Sequence, residues 1–439
     1  MVFFFCIIQI LSYLCNIINI NETMKNNLLL TVFLTFVLYS CSDYYEECGN
    51  KATQSIPSYS ITPEEAKGIA SDFLSAFHGK DTRSSEKITI KNVIPLHNKD
   101  LATRCADYED EIFGLGIDTI MYIVNFEYEK GFMLVAADKR TEPVLALIEE
   151  GNYSFEDLRK EKNEGFLMFL RQTAKMDTED IEKGGSGSYP GEWEVTNKKE
   201  PLLKTKWSQE YPYCEFCPNK TSGCVPIAVA QILSYYQPFD FIRCVKNGTE
   251  ISTRTNWKQI ISDCICNGGK LSMSLNMESS CQVAKLVRIL GLEMDAEYKK
   301  NITSVSKNKA IEWFNNTRLL HATKLKSFDE KNIIDAIKSD KIIYGRGCRE
   351  KVKFIVTWAY KEGHAWVFDG FLTAKRSGET KNMLHCNWGW GGSRNGYYLS
   401  KAFNTFYGAE ILDDSSEGHN DKNCNYNYKY DLQYSIISR

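Results

Sequence analysis

Proline is scarce, with 10 residues in 439, and long stiff linkers are excluded with it. No charge of one sign dominates. The 53 basic and 56 acidic residues leave a net −3, without the basic surplus that a nucleic-acid surface requires. Internal repeats and low-complexity tracts are missing, which removes solenoids and arrays. Metal-ligand spacing is thin. Cys214-x-x-Cys217 has no second Cys or His pair at zinc spacing, and Cys264-x-Cys266 is too tight. Asp413, Asp414 and Glu417 lie in a polar loop with no EF-hand pattern. The expectation is therefore no metal, no cofactor and no nucleic-acid partner. What remains is 43% hydrophobic, 13% aromatic and 25% charged, the make-up of a folded protein of two to three domains.

The N-terminus carries a compartment signal. Met24-Lys25-Asn26-Asn27 precedes an apolar run from Leu28 to Leu38, then Tyr39-Ser40-Cys41. A basic start, an apolar stretch too short to span comfortably and a small residue before the cut describe an export signal over 24–40. Leu38-Tyr39-Ser40-Cys41 resembles a bacterial lipobox, which implies a lipid on Cys41 and a membrane anchor at the cell surface or outer membrane. Residues 41–58, with Asp43, Glu46 and Glu47, read as an acidic tether. The earlier apolar run Val2–Ile20 reads either as an upstream extension over 1–23, with Met24 the true start, or as a transmembrane segment. Of the 15 cysteines, 12 fall in the exported part beyond Cys41, where disulfides are permitted. Their pairing is not readable from sequence.

Two large regions follow. Thr62-Pro63-Glu64-Glu65 is a capping box opening a helix with Ile69, Phe73 and Phe77 on one side and Gly79 at its end. Strands are expected at Thr119–Phe126, Phe132–Ala137 and Pro143–Ile148, then a helix from about Ser154 to Lys175. Lys183–Gly191 is rich in Gly and Ser, and it is the clearest boundary and the expected cleavage region. It separates 59–190 from 191–439, each long enough to bury a core. Beyond it, helices are expected at Cys224–Tyr236, Ser279–Leu290 and Asp329–Ile337. Strands are expected at Ile342–Gly345, Lys353–Trp358, Ala365–Phe371, Met383–Trp388 and Tyr430–Ile437. Helices first and strands later predict an α+β domain with an antiparallel sheet.

One constellation carries chemistry. Gly223-Cys224-Val225-Pro226 places Cys224 at a helix start, where free N–H groups and the dipole favour a thiolate and can hold an oxyanion. The structural alternative is a small buried hydrophobe or half of a disulfide. His364 opens an alternating strand after Gly363, 140 residues downstream, and is the candidate base. Asn387, 23 residues further on, offers an amide oxygen to orient an imidazole, with Trp388 and Trp390 to cover the bond. The same Trp-Gly run reads equally as a packed turn at a sheet edge. Gln209 offers a side-chain N–H to an oxyanion.

These stretches resemble the streptopain family of papain-like bacterial cysteine peptidases. The matching pieces are Leu203–Gln209, Gly223-Cys224-Val225 with Ala228, Ala230-Gln231 and Tyr235, Gly363-His364-Ala365, Asp369-Gly370, and Asn387–Gly392 with Gly396-Tyr397. Ile61–Leu74 and Gly131–Gly151 are similar to that family's inhibitory propeptide. The resemblance implies a papain-like domain over 191–439 behind a small α+β propeptide over 59–190. It implies a Cys224–His364 endopeptidase acting on proteins or peptides, Gln209 at the oxyanion, and Asn387, Trp388 or Trp390 positioning the histidine. The rival reading is a non-catalytic surface binding protein on the same scaffold. Three departures stand out: Pro226 in place of a small residue, residues 347–361 as an insertion before His364, and the polar, Asn-rich run Asp413–Lys429 in place of a glycine-rich loop near the C-terminus.

Overall fold

A reciprocal cap starts the first helix. Thr62 Oγ1 accepts the Glu65 N–H, and the Glu65 carboxylate accepts the Thr62 N–H. Helix α1, Pro63–His78, then runs to Gly79 at φ 78°. Strands β1 (Ile90–His97), β2 (Thr119–Phe126), β3 (Phe132–Ala136) and β4 (Val144–Ile148) form an antiparallel meander. Their side chains alternate between faces. Ile123 and Leu134 enter one core, while Val124 and Val135 turn to the other, which α1 covers with Phe73.

The computed structural model describes residues 59–79, 88–102, 118–184, 191–300, 302–354, 357–404 and 432–439. The expected extension at 1–23, export signal at 24–40, Cys41 with its tether to residue 58, the middle of the Gly/Ser segment and the polar run Asp413–Lys429 lie outside these residues.

The single helix expected from about Ser154 to Lys175 is two. A short one, Phe155–Lys160, ends where Glu161 turns extended, and Asn163 caps a new helix α2, Glu164–Glu182. The Glu161 carboxylate accepts the N–H groups of Lys162 and Asn163, giving them partners outside any helix.

After the linker come β5 (Glu194–Lys199), α3 (Cys224–Tyr236), the hairpin β6 (Phe241–Lys246) and β7 (Thr249–Arg254), α4 (Trp257–Cys266) and α5 (Met277–Glu293). Then follow β8 (Glu297–Lys299), β9 (Ile302–Ser304), α6 (Lys309–Thr317), β10 (His321–Ala322), β11 (Lys326–Ser327) and α7 (Glu330–Lys338). The chain closes with β12 (Ile342–Phe354), β13 (Thr357–Arg376), β14 (Glu379–Asn387), β15 (Gly396–Leu399) and β16 (Gln433–Ser438). The separate strand expected at Lys353–Trp358 does not exist as such. Lys353 and Phe354 belong to β12 and Thr357 and Trp358 to β13, two long strands that pair from Ile343↔Phe368 to Phe354↔Thr357.

One sheet runs through both regions in the order β1-β2-β3-β4-β15-β14-β13-β12-β16-β10. The join is β4 on β15, with Gly396↔Ile148, Tyr397↔Leu147 and Tyr398↔Ala146. Helix α2 shares its core with the downstream region. Phe166, Phe169 and Leu170 are buried with Trp366, Phe368, Trp388 and Tyr398, and the Phe169 and Tyr398 rings lie 4.7 Å apart. On β13, Trp366 and Phe368 face α2, whereas Ala365 and Val367 face α3. The architecture is α+β, as expected.

Asp177 of α2 is buried, and neither carboxylate oxygen has a partner among the described residues. Burial and the neighbouring Asp180 hold its carboxyl well above the usual range, so it folds as the neutral acid. A raised carboxyl favours folding below its ordinary titration range and opposes it as pH rises above that range. Asp177→Asn is expected to leave the melting temperature nearly unchanged at pH 4 and to raise it increasingly toward pH 8, as read by thermal denaturation of the full chain.

Candidate active site

Gly223 precedes α3 with φ 83°, and a Cβ there would stand 3.0 Å from the Thr303 carbonyl oxygen. Glycine therefore permits both the turn and the close approach. Cys224 is the first helical residue. Its own N–H and those of Val225 and Ala365 are directed at the sulfur, and Arg346 adds a nearby positive charge. The residue keeps some exposed surface, yet burial around the sulfur outweighs these donors and pushes the thiol up. The thiolate expected at this helix start is thus not favoured in the intact chain, because desolvation is the larger effect.

His364 lies on β13 opposite Gly347, and Ala365 opposite Arg346. The ring is buried, nearly parallel to Trp366 at 6.1 Å and tilted against Trp388 at 6.3 Å. Its Nε2 donates to the Trp388 carbonyl at 2.9 Å, which leaves Nδ1 as the basic nitrogen. Burial lowers its pKa to about 4, against the pull of that carbonyl. Cys224 and the strand residue after His364 are therefore brought together, but the ring itself bonds to Trp388 and not to the thiol.

The cover over the ring comes from upstream. A Cβ on Gly165, in the first turn of α2, would fall inside contact distance of the Trp388 ring and 2.8 Å from His364 Cδ2. On either side of this contact, Lys162 Nζ reaches Glu210 Oε1 at 2.9 Å and Arg394 Nε donates to Glu161 Oε2 at 2.9 Å. The break between the two upstream helices thus lies across the candidate site.

Asn387 does not touch the imidazole. Its Nδ2 donates to the Thr205 carbonyl at 2.8 Å, and its Oδ1 accepts from Gln231 Nε2 at 3.2 Å and from the Gly389 N–H at 3.3 Å. Of the three candidates for orienting the ring, Trp388 contacts it, through its main chain. Trp390 is bridged to Ser208, and the Gly391 N–H donates to the Trp207 carbonyl at 3.0 Å, so the Trp-Gly loop is tied to the segment bearing Gln209. The Gln209 carbonyl accepts from the Ser222 N–H at 3.0 Å and from Ser222 Oγ at 3.1 Å, which fixes Gln209 two residues ahead of the turn into Cys224.

Gln231 is not among the residues expected at the site. It is fully buried, its Oε1 accepts the Trp207 N–H at 2.9 Å, and its Nε2 reaches Asn387. One amide therefore joins α3, the Gln209 segment and the Trp388 loop. The available signal was spacing: seven residues past Cys224 puts Gln231 on the same helix face, a polar residue amid Ala, Val, Ile and Leu. Among the described residues no cluster suited to a metal occurs, and eight cysteines, Cys214 and Cys217 included, are free thiols.

Residues 207–398 match the Peptidase C10 family, and residues 58–176 match the Spi protease inhibitor family. The chain carries a C10 peptidase domain behind a Spi inhibitor domain. That is the arrangement of a cysteine peptidase zymogen. Streptopain of Streptococcus pyogenes is 23% identical over 336 residues, covering 65% of this chain and 74% of that protein. The thiol protease/hemagglutinin PrtT of Porphyromonas gingivalis is 23% identical over 364 residues, covering 73% of this chain and 39% of that protein. A prointerpain A fragment from Prevotella intermedia superposes with a TM-score of 0.49 at 18% identity, over 72% of this chain and 94% of the fragment.

Gln231→Leu strands the Trp207 N–H in the interior and takes one donor from Asn387 Oδ1, at a cost of about 1–3 kcal/mol. Urea unfolding is expected to show that loss.

Proposed function

We propose that this chain is an exported, lipid-anchored cysteine endopeptidase made in a self-inhibited form, with Cys224 as nucleophile and His364 as base. The observation that carries the proposal is the seat of Gly165 on His364 and Trp388, beside a helix-start cysteine ringed by N–H donors.

In the closed chain burial works against charge on both groups, raising the thiol and holding the imidazole near 4. Removing the first turn of α2 lets water reach the ring. Its pKa then climbs toward the ordinary value near 6.5 while the thiol falls, so the proton moves from sulfur to Nδ1. The Trp388 carbonyl keeps Nε2–H and fixes the ring plane. The thiolate attacks the scissile carbonyl carbon, and the Cys224 N–H and the Gln209 amide stabilise the oxyanion. The imidazolium returns its proton to the departing amine, and a water deprotonated by the same ring hydrolyses the thioester. Export and the lipid on Cys41 rest on the Met24–Cys41 pattern alone.

Cys224→Ala is expected to abolish proteolysis and self-processing while leaving the fold intact. Mass measurement of incubated wild type beside the variant reads activity, cleavage position and the Cys41 lipid at once. A Cys224→Ala chain that still processes itself would sink the assignment. A second expectation concerns the cover. Gly165→Ala places a methyl group against the Trp388 ring, overpacking that costs about 1–3 kcal/mol. A thiol probe should then label Cys224 roughly 5–30-fold faster than in wild type, and equal labelling would remove the blocking role from α2.

A further inference from the structure

The join between β4 and β15 carries charge with a consistent polarity. Acids stand on the inhibitor side and bases on the peptidase side. Lys381 Nζ meets Glu142 Oε1 at 2.6 Å, Lys401 Nζ meets Asp180 Oδ2 at 2.6 Å, and Arg394 meets Glu161. Lys206 and Lys270 both reach Glu150, the latter at 3.8 Å. Lys162–Glu210 runs the other way.

One pair differs from these in burial. His385 of β14 is 3% exposed in its side chain, and its Nδ1 lies 2.6 Å from Asp369 Oδ1 of β13, itself fully buried. Its Nε2 faces Glu149 Oε1, just past β4, at 3.4 Å. Asp369 Oδ2 accepts the Leu203 N–H at 3.1 Å, so that carboxylate is anchored within the peptidase domain. The Nδ1 contact is a hydrogen bond and the Nε2 contact an ion-pair approach, and a doubly protonated imidazole presents positive charge to both carboxylates. We propose that buried His385 and half-buried Glu149 form a charge clamp across the domain join, which makes the inhibitor's hold on the peptidase depend on pH. The inference rests on the self-inhibited reading above.

Burial works against the charge on His385, yet Asp369 and then Glu149 outweigh it and raise the ring to about 10. Burial likewise opposes the charge on Glu149, and His385 nevertheless holds it down at about 2. The other groups around the pair are Lys206, 3.8 Å from Glu149, Lys198 on β5, and the Tyr397 ring, 5.2 Å from His385, whose hydroxyl reaches Glu200. Departure of the inhibitor removes Glu149 and leaves His385 with Asp369 alone. The sign follows for each partner. A depressed Glu149 holds the domains together above its free pKa, and the hold is lost as pH falls from there toward 2. A raised His385 contributes fully below its released pKa, and its share is lost as pH rises through 10. The clamp is strongest between these limits and loosens on acidification.

The test uses the full chain with Cys224→Ala, which cannot process itself, with and without Glu149→Gln. At pH 7 the Glu149→Gln chain is expected to melt roughly 2–4 °C lower. The gap should close toward pH 3 and again above pH 10. Side-chain nitrogen NMR should find one histidine ring doubly protonated at pH 8, and that ring should titrate lower in Glu149→Gln. A melting gap equal at every pH, or no charged ring at pH 8, overturns the clamp. In the chain retaining Cys224, Glu149→Gln should speed conversion at pH 7. A wild type that never converts defeats the peptidase reading instead, since the melting and NMR arms need no activity.

Discussion

Everything in the closed state depends on backbone reaching where a side chain does not fit. Gly165 brings the first turn of α2 down onto the His364 and Trp388 rings, and no residue with a Cβ matches that approach without displacing an indole. The rest of the inhibitor domain delivers the turn there. Glu161 breaks the helix ahead of it, Asn163 restarts the helix at the required point, and the β4–β15 pairing sets the distance from the sheet.

Magnitudes decide what holds the turn down. Burying a large apolar side chain contributes about 1.5–3 kcal/mol, and Phe166, Phe169 and Leu170 are all buried against the peptidase domain. The ion pairs along the join are partly buried, and desolvation offsets much of their Coulomb attraction. The shared apolar core therefore supplies the attraction, while the charges along the join select register and respond to conditions. On the proposed reading, the same burial that holds the inhibitor also silences the chemistry. A dry pocket disfavours an ionised thiol and an ionised imidazole alike, so obstruction and electrostatics act together and are relieved together.

Much of the fold was legible. The Thr62 cap, the meander from Thr119 to Ile148 and the helix from Cys224 are local patterns, and they stand where residue types and periods put them. Several features were not legible. The Glu161 break looks like ordinary helix, because a carboxylate accepting main-chain N–H groups has no sequence period. Strand β15 is four residues long and joins the two domains through hydrogen bonds that any residues make. His385 sits unmarked within the expected strand Met383–Trp388, since its two carboxylates come from positions 16 residues before it and more than 200 before it.

The sequence by itself determined the kinds of groups available: a cysteine at a helix mouth, a histidine on a strand, an amide near each, and an upstream segment ending in a Gly/Ser-rich stretch. These follow from neighbours within a few residues, where backbone geometry and side-chain type decide the outcome. Tertiary structure alone decided which groups meet and what charge they bear. It gave the imidazole the Trp388 carbonyl in place of the Asn387 amide, assigned Gln231 to join three segments, and set burial against charge on Cys224 and His364. Desolvation and long-range contact set those outcomes, and both depend on what the remainder of the chain places around a group.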